Sequence, residues 1–336
     1  MFQQILVPLD GSERAEKAIP TAARIARATG ATITLLNAIT PSPEYGTALV
    51  PATFGEADYE LMRRESAEYL IRAANQPALD GIQVRKDVVF GPAALAILDS
   101  IATHHIDLVV MTSHGRTGFT RWVLGSVAQH IARSAVVPVL ILKEQTPILT
   151  GQHPDTEHLF RVLVSLDGSA LAETAIEPAV ALVSALAAPA PAALHLALVI
   201  SPYEANEENV PSSFAVEGAR EYLAKIAHRL QQTYPGMTIT YSVGVGLDIA
   251  GTLIRIAESG EDVEGTGAFG GCDIVAMATH GRTGLARWII GSVTDRVLQG
   301  TRLPMLIIRP PAMRNHKVTS EEESKDSEPA VWSALF

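Results

Sequence analysis

The stretch SHGRTGFTRWVLGSV, residues 113–127, returns as THGRTGLARWIIGSV, residues 279–293, with ten of fifteen positions identical. It is one part of a longer duplication. ILVPLDGSERAEKAI is matched by VLVSLDGSALAETAI, ITLLNAITP by LHLALVISP, DLVVMTSHG by DIVAMATHG, and VPVLIL by LPMLII, in the same order in both halves. A unit repeated twice at roughly the modal domain size is a duplicated domain, not a solenoid of short repeats. The spacing between copies grows from 157 residues at Asp10/Asp167 to 166 at Gly115/Gly281, so the second copy carries extra residues. Most of them fall in the Gly-rich, acidic stretch 259–271, which reads as an inserted loop.

The resulting boundaries are 1–143 for the first domain, 144–159 for a polar linker, 160–309 for the second domain, and 310–336 for a tail. The tail holds the run SEEESKDSE and reads as disordered, with a final VWSALF read as a loose end. A hydrophobic fraction of 47% supports two ordinary cores. A net charge of −10 with no Lys/Arg stripe argues against a nucleic-acid backbone as partner. The single cysteine, Cys272, excludes an intramolecular disulfide framework, suggests a reducing compartment and reads as core packing. The opening MFQQILVPLDGS does not read as a signal peptide. The most apolar region, 179–200, contains two prolines and reads as helix plus strand, not as a membrane span. A cytoplasmic protein without membrane contact is the expectation.

Inside each copy, strand and helix patterns alternate. In the first, strands are expected over 5–9, 33–39, 84–89, 108–111 and 137–142, and helices over 12–29, 56–75, 93–103 and 125–134. This predicts an α/β fold of two tandem, doubly wound, parallel five-stranded sheets. Pro138 and Pro304 fall in the fifth strands, which therefore belong at a sheet edge. Two such edges in one chain can pair and dock the halves about a pseudo-twofold axis.

The repeated loop leaves the fourth strand and enters the last helix, at the carboxyl side of the sheet where open α/β folds bind ligands. Gly115 and Gly118 allow positive φ, and Ser126 suits an N-cap. Unpaired first-turn amides, the helix dipole and Arg116 or Arg282 make an anion cradle. The alternative is an ordinary strand end and helix cap. Asp10 and Asp167 end strand one, where each can meet a ribose or a base, or serve the cap of the next helix.

With the strand-one Asp, the glycine loop and the terminal edge strand in this order, the chain resembles the universal stress protein family as a tandem two-domain member. The resemblance covers about 1–143 and 160–309. It implies a Rossmann-like fold of the adenine nucleotide alpha hydrolase-like type. Nucleotide-binding members carry Gly-x2-Gly-x9-Gly-Ser/Thr. The second half of that pattern stands twice, as Gly115/Gly125-Ser126 and Gly281/Gly291-Ser292, while its first Gly falls on Thr112 and Ala278. By position, the resemblance places Asp10 and Asp167 by adenine or ribose, and Ala38 and Val199 along the adenine pocket. It places Met111, Thr112, Met277 and Ala278 along the nucleoside. Gly115, Gly125, Ser126 and Val127 would hold phosphates, as would Gly281, Gly291, Ser292 and Val293, with Arg116 and Arg282 as added donors. It implies ATP as ligand, with Mg²⁺ as an optional companion. It also implies a dimer contact through last strands, which a tandem chain satisfies internally as a pseudo-dimer, leaving a further homodimer open.

No HExxH, Walker lysine motif or metal-ligand cluster appears. His114 and His280 are the nearest candidates for a base and read as shaping the turn; the repeated Arg-Trp pairs read as packing the loop, and His104-His105 as surface. The expectation is an ATP-binding stress or regulatory protein with at most weak ATPase activity and no catalytic residue assigned. The alternative is a nucleotide-free scaffold of the same fold, acting through protein contacts.

Overall fold

Ile5, Val7 and Leu9 are buried in the core on one side of their strand and Leu6 in the core on the other, as a strand covered on both faces requires. This is β1, Gln4–Leu9, the central strand of the first half. In the computed structural model, residues 2–40, 55–113, 124–143, 159–202, 213–263, 267–279 and 291–310 are described. The first half continues with α1 Glu13–Glu16, α2 Ala18–Thr29, β2 Thr32–Ile39, α3 Glu56–Ala74, β3 Val84–Phe90, α4 Ala93–Thr103, β4 Leu108–Thr112, α5 Ser126–Ser134 and β5 Val139–Leu142. The second repeats this as β6 Phe160–Leu166, α6 Ala170–Glu173, α7 Ile176–Ala187, β7 Ala192–Ile200, α8 Ser213–Thr233, β8 Thr238–Val245 and α9 Ile249–Ser259. It then runs through β9 Glu261–Val263, β10 Gly267–Phe269, β11 Ile274–Ala278, α10 Ser292–Gly300 and β12 Met305–Ile308.

Within each half the five strands of the main sheet are parallel, and β5 pairs antiparallel with β12. The two expected sheets are therefore one ten-stranded sheet of order β3-β2-β1-β4-β5-β12-β11-β6-β7-β8. One face carries the core under α2, α3, α7 and α8; the other carries the core under α4, α5, α9 and α10. At the junction Leu140 lies opposite Leu306, both without solvent exposure. Cations cross it reciprocally. The Lys143 ammonium donates to the Leu298 carbonyl at the end of α10, and Arg309 donates to the Ser134 carbonyl at the end of α5, 3.0 Å. Each cation meets the negative end of the other half's last helix. Burial lowers the Lys143 pKa to about 8.

The structure corrects several expectations drawn from sequence. Pro138 and Pro304 stand one residue before the strands they were placed in; their carbonyls accept from Val109 and Val275, and the missing N–H falls outside the β5–β12 register. The helix expected over 12–29 is two, because Pro20 has no N–H to give the Glu16 carbonyl of an unbroken helix. The stretch 259–271 is not a plain loop: β9 and β10 form an antiparallel hairpin. Gly271 closes it at φ +109°, where a Cβ would stand 2.9 Å from the Glu258 carbonyl oxygen. His104 is half-buried and bonds Asp87 at 3.1 Å, tying the end of α4 to β3 instead of lying on the surface. The stretch Ala170–Ala187 has the length and apolarity to cross a membrane, but 56% of it is buried inside the protein, with α7 packed beside α2.

Cys272 is buried and desolvation pushes its thiol up to about 12, which keeps it protonated and unreactive. His195, which no sequence pattern singled out, is fully buried in β7. Its ring nitrogens meet Thr240 Oγ1 at 2.9 Å and Ser242 Oγ at 3.0 Å on β8. Burial, with Arg161 nearby, lowers its pKa to about 3. The folded-state pKa lies below the unfolded value, so the stability it contributes is complete above pH ~6.5 and is lost as pH falls towards ~3, where the unfolded chain binds a proton that the folded chain does not. The expected loss is about 1.4 kcal/mol per pH unit between ~6.5 and ~3. Urea unfolding at pH 7, 6, 5 and 4 should show this slope, and His195→Gln should remove about one proton's worth of it.

Candidate functional site

The strand order 3-2-1-4-5 reverses between β1 and β4. At the carboxyl ends of these strands lies a cleft of about 710 Å³. Its floor is Leu9 at the end of β1 and Asp10 after it, Ala38 and Ile39 of β2, and Met111 and Thr112 of β4 with Ser113 following; α3 and the first turn of α5 form its walls. The size suits a small organic ligand.

The first turn of α5 is built around one glycine. Gly125 is the N-cap, with φ −58° and ψ 146°, and its N–H donates to the Ser113 carbonyl at 2.8 Å. Ser126 is therefore the first helical residue and not the cap expected from the sequence. Gly291 repeats this geometry, with φ −56° and its N–H 2.7 Å from the Thr279 carbonyl oxygen. A Cβ there would stand 3.0 Å from that oxygen, so close approach and not positive φ calls for glycine. Among the described residues no side chain caps either helix. The amides of Ser126, Val127 and Ala128 have no intrahelical acceptor, and all three residues line the cleft. This is the arrangement an anion needs: first-turn donors and the positive end of a helix dipole facing one cavity. Ser292 and Val293 open α10 in the same way.

Ser12 caps α1, and Asp10 holds that cap in place while also facing the cleft. Its Oδ1 accepts from the Ser12 N–H at 3.0 Å and the Ser12 hydroxyl at 2.6 Å, and Ser12 Oγ accepts from the Ala15 N–H. Asp167, Ser169 and Ala172 repeat the relay. Gly11 and Gly168 both sit at φ +84°, which turns the chain from strand to helix and exposes the aspartate at the strand end. Thr112 and Ala278 end β4 and β11 in ordinary strand conformation, where any residue fits the backbone. Met277 and Ala278 are buried, and Val199 lies inside β7, beside Gly244 of β8. Ala38 likewise lies within β2.

No sequence pattern announced the polar wall contributed by α3. Ser66 donates to Asn37 Oδ1 at 2.6 Å, and Asn37 Nδ2 donates to the Leu9 carbonyl at 2.8 Å. Tyr69 stands beside Glu16, and its pKa is raised by burial and by that carboxylate. In the second half Tyr222 bonds Glu173 at 3.1 Å, but Leu198 and Ala219 replace Asn37 and Ser66. The two halves thus share helix-turn geometry and differ in the polarity of this wall. Gly115, Arg116, Gly118, His114 and Arg121-Trp122 lie outside the described residues, as do His280, Gly281, Arg282 and Arg287-Trp288. Among the described residues no group of three or more His, Cys, Asp or Glu side chains gathers as a metal site.

The sequence profile of the universal stress protein family matches residues 1–143 and 159–309. A universal stress protein of Mycobacterium tuberculosis, Rv2623, is 28% identical over 312 residues, covering 91% of this chain and 96% of the relative. Universal stress protein MJ0531 of Methanocaldococcus jannaschii is 30% identical over 145 residues, 43% of this chain and 84% of its own length. Among solved structures, a universal stress protein from Archaeoglobus fulgidus DSM 4304 superposes with a TM-score of 0.63 at 19% identity, over 91% of this chain and 98% of the other. That likeness shows the fold, and the family profile and the Rv2623 match span both copies. The chain is a tandem, two-copy member of the universal stress protein family.

Proposed function

We propose that the chain is a stress-response regulatory protein that binds ATP, or another adenine nucleotide, in the cleft of its first half, with the matching position in its second half as an additional site. The observation that carries this reading is the first turn of α5, where Gly125 and three amides without an intrahelical acceptor face a cleft of about 710 Å³. Phosphates would lie against Ser126 and Val127, and against Ser292 and Val293 in the second half. Met111, Thr112 and Ala38 would lie along the nucleoside, with Met277, Ala278 and Val199 as counterparts. Gly115, Gly281, Arg116 and Arg282 would close the loop over the phosphates. The Asp10 and Asp167 carboxylates, held by Ser12 and Ser169, would present an acceptor to ribose or base.

Binding in this reading biases the loop and the contacts between halves, and turnover is slow or absent. The β5–β12 pairing serves as the internal counterpart of a two-domain dimer contact. A nucleotide-free scaffold is the competing reading, drawn from Thr112 and Ala278 at the family motif's first glycine. Titration of ATP into the full chain by calorimetry separates the two: heat that saturates at one or two sites supports the nucleotide reading, and no heat supports the scaffold.

A further inference from the structure

The duplication supplies an internal control for a second surface. In the second half, the groove between α9 and α10 is locked by polar contacts. Glu258 accepts from the Thr301 hydroxyl at 2.9 Å and from the Arg302 N–H at 2.7 Å, and Asp248 pairs with Arg296 at 3.0 Å. The helices are close enough there that a Cβ on Gly300 would stand 2.8 Å from Ile254 Cδ1. In the first half, each of these lock residues is replaced. Ala102 stands for Glu258, Ala135 for Thr301, Val136 for Arg302, Pro92 for Asp248 and His130 for Arg296. The result is an open groove of about 710 Å³ with an apolar floor of Leu98, Ile101 and Ala102, edged by Val136, which is 71% exposed. His130 and Arg133 stand on its rim. The Val136 side chain carries the apolar character of the Leu98 and Ala102 floor out to the surface, where the second half has an arginine.

The chain itself supplies a segment to cover it. Arg309 bonds the Ser134 carbonyl, and Ser134 lines the groove, so the chain leaves β12 within one arginine side chain's length of this surface. The sequence beyond that point holds an acidic run, Glu321 to Glu328, and then Val331-Trp332-Ser333-Ala334-Leu335-Phe336. A coil of about twenty residues spans roughly 25 Å, ample for a return to a groove beside the point of departure. Arg133, which also stands 3.9 Å from Asp295, is the rim cation that the acidic run would meet, and the apolar hexapeptide complements the floor.

We propose that residues 331–336 dock in cis into the α4/α5 groove of the first half. Trp332 is the anchor, its indole covering Leu98 and Val136. Glu258 and Arg296 close the equivalent position in the second half. Ser126 borders both this groove and the candidate ligand cleft, so the docked segment sits against the first turn of α5.

The test uses the full chain and Trp332 as reporter, its fluorescence obtained as the difference between the protein and its Trp332→Phe variant. The expected result is an emission blue-shifted from that in the urea-unfolded chain, with acrylamide quenching reduced about twofold or more. Ala102→Glu with Ala135→Thr, which supplies the carboxylate and the hydroxyl donor of the second-half lock, should shift that emission to the solvent value. Loss of the blue shift on dilution would show docking onto a second copy and overturn the proposal. So would a solvent-like Trp332 in the unaltered chain, or a blue shift indifferent to the groove variant. Hydrogen exchange across 93–103 and 126–134 gives an independent readout: the groove variant should protect these helices without the tail, and Trp332→Ala in the unaltered groove should deprotect them.

Discussion

Leu306→Ala is expected to lower the stability of the chain by about 3 kcal/mol, near the middle of the range for truncating a fully buried leucine. Leu306 and Leu140 face each other across the β5–β12 pair, at the centre of a ten-stranded sheet, and neither is solvent-exposed. The cavity left there cannot collapse easily, since the helices above it are held from both sides. Lys143 and Arg309 reach across to opposite helix ends, and α2 packs beside α7 on the other face. Leu140→Ala should cost a similar amount. The double variant should differ from the sum of the singles by about 0.5 kcal/mol or more, because the two side chains share one contact region. Urea denaturation of the four proteins measures both quantities. Strict additivity with small single effects would mean that the halves do not rely on this pairing.

The second large effect concerns the ligand. Gly125→Val with Gly291→Val should weaken ATP binding by roughly 100-fold or more, since hydrogen bonds to a charged group contribute roughly 1.5–3 kcal/mol each and a branched side chain at the N-cap obstructs at least two of them. The backbone at both glycines is in a region open to valine, with φ of −58° and −56°. The folding cost is therefore that of crowding at the turn, seen at 291 as a Cβ 3.0 Å from the Thr279 carbonyl oxygen, about 1–3 kcal/mol. Melting curves report that cost separately from the calorimetric affinity. A variant that melts like a folded protein and binds ATP as before would eliminate the phosphate cradle as the binding element.

The duplication made most of the architecture readable. Strands β1, β2, β4 and their partners announced themselves as apolar runs ending in turn residues, and repetition supported each boundary. The glycines at 125 and 291 were also readable, because they survive in two copies that have diverged elsewhere. Their physical reason was not. Sequence suggested a serine cap, whereas at 291 the close approach of the Thr279 carbonyl calls for glycine, and that contact joins residues a loop apart. Long-range polar pairs escaped for the same reason. Ser66 and Asn37 are 29 residues apart, and His195 finds Thr240 only through the β7–β8 register. The hairpin at β9–β10 escaped because a Gly-rich acidic segment of three-residue strands carries no periodicity to detect. The helix break after Glu16 was legible in principle, since Pro20 lacks the donor a continuous helix needs.

Whether the repeated turn holds a nucleotide is decided by calorimetric titration of ATP into the full chain, paired with mass spectrometry of small molecules released when the purified protein is denatured. The expected result is saturable heat at one or two sites per chain, or an adenine nucleotide already released in that ratio, with the heat abolished by Gly125→Val and Gly291→Val. No released nucleotide and no heat of binding would contradict nucleotide binding, and would leave the first turns of α5 and α10 as elements of a scaffold that works through protein contacts.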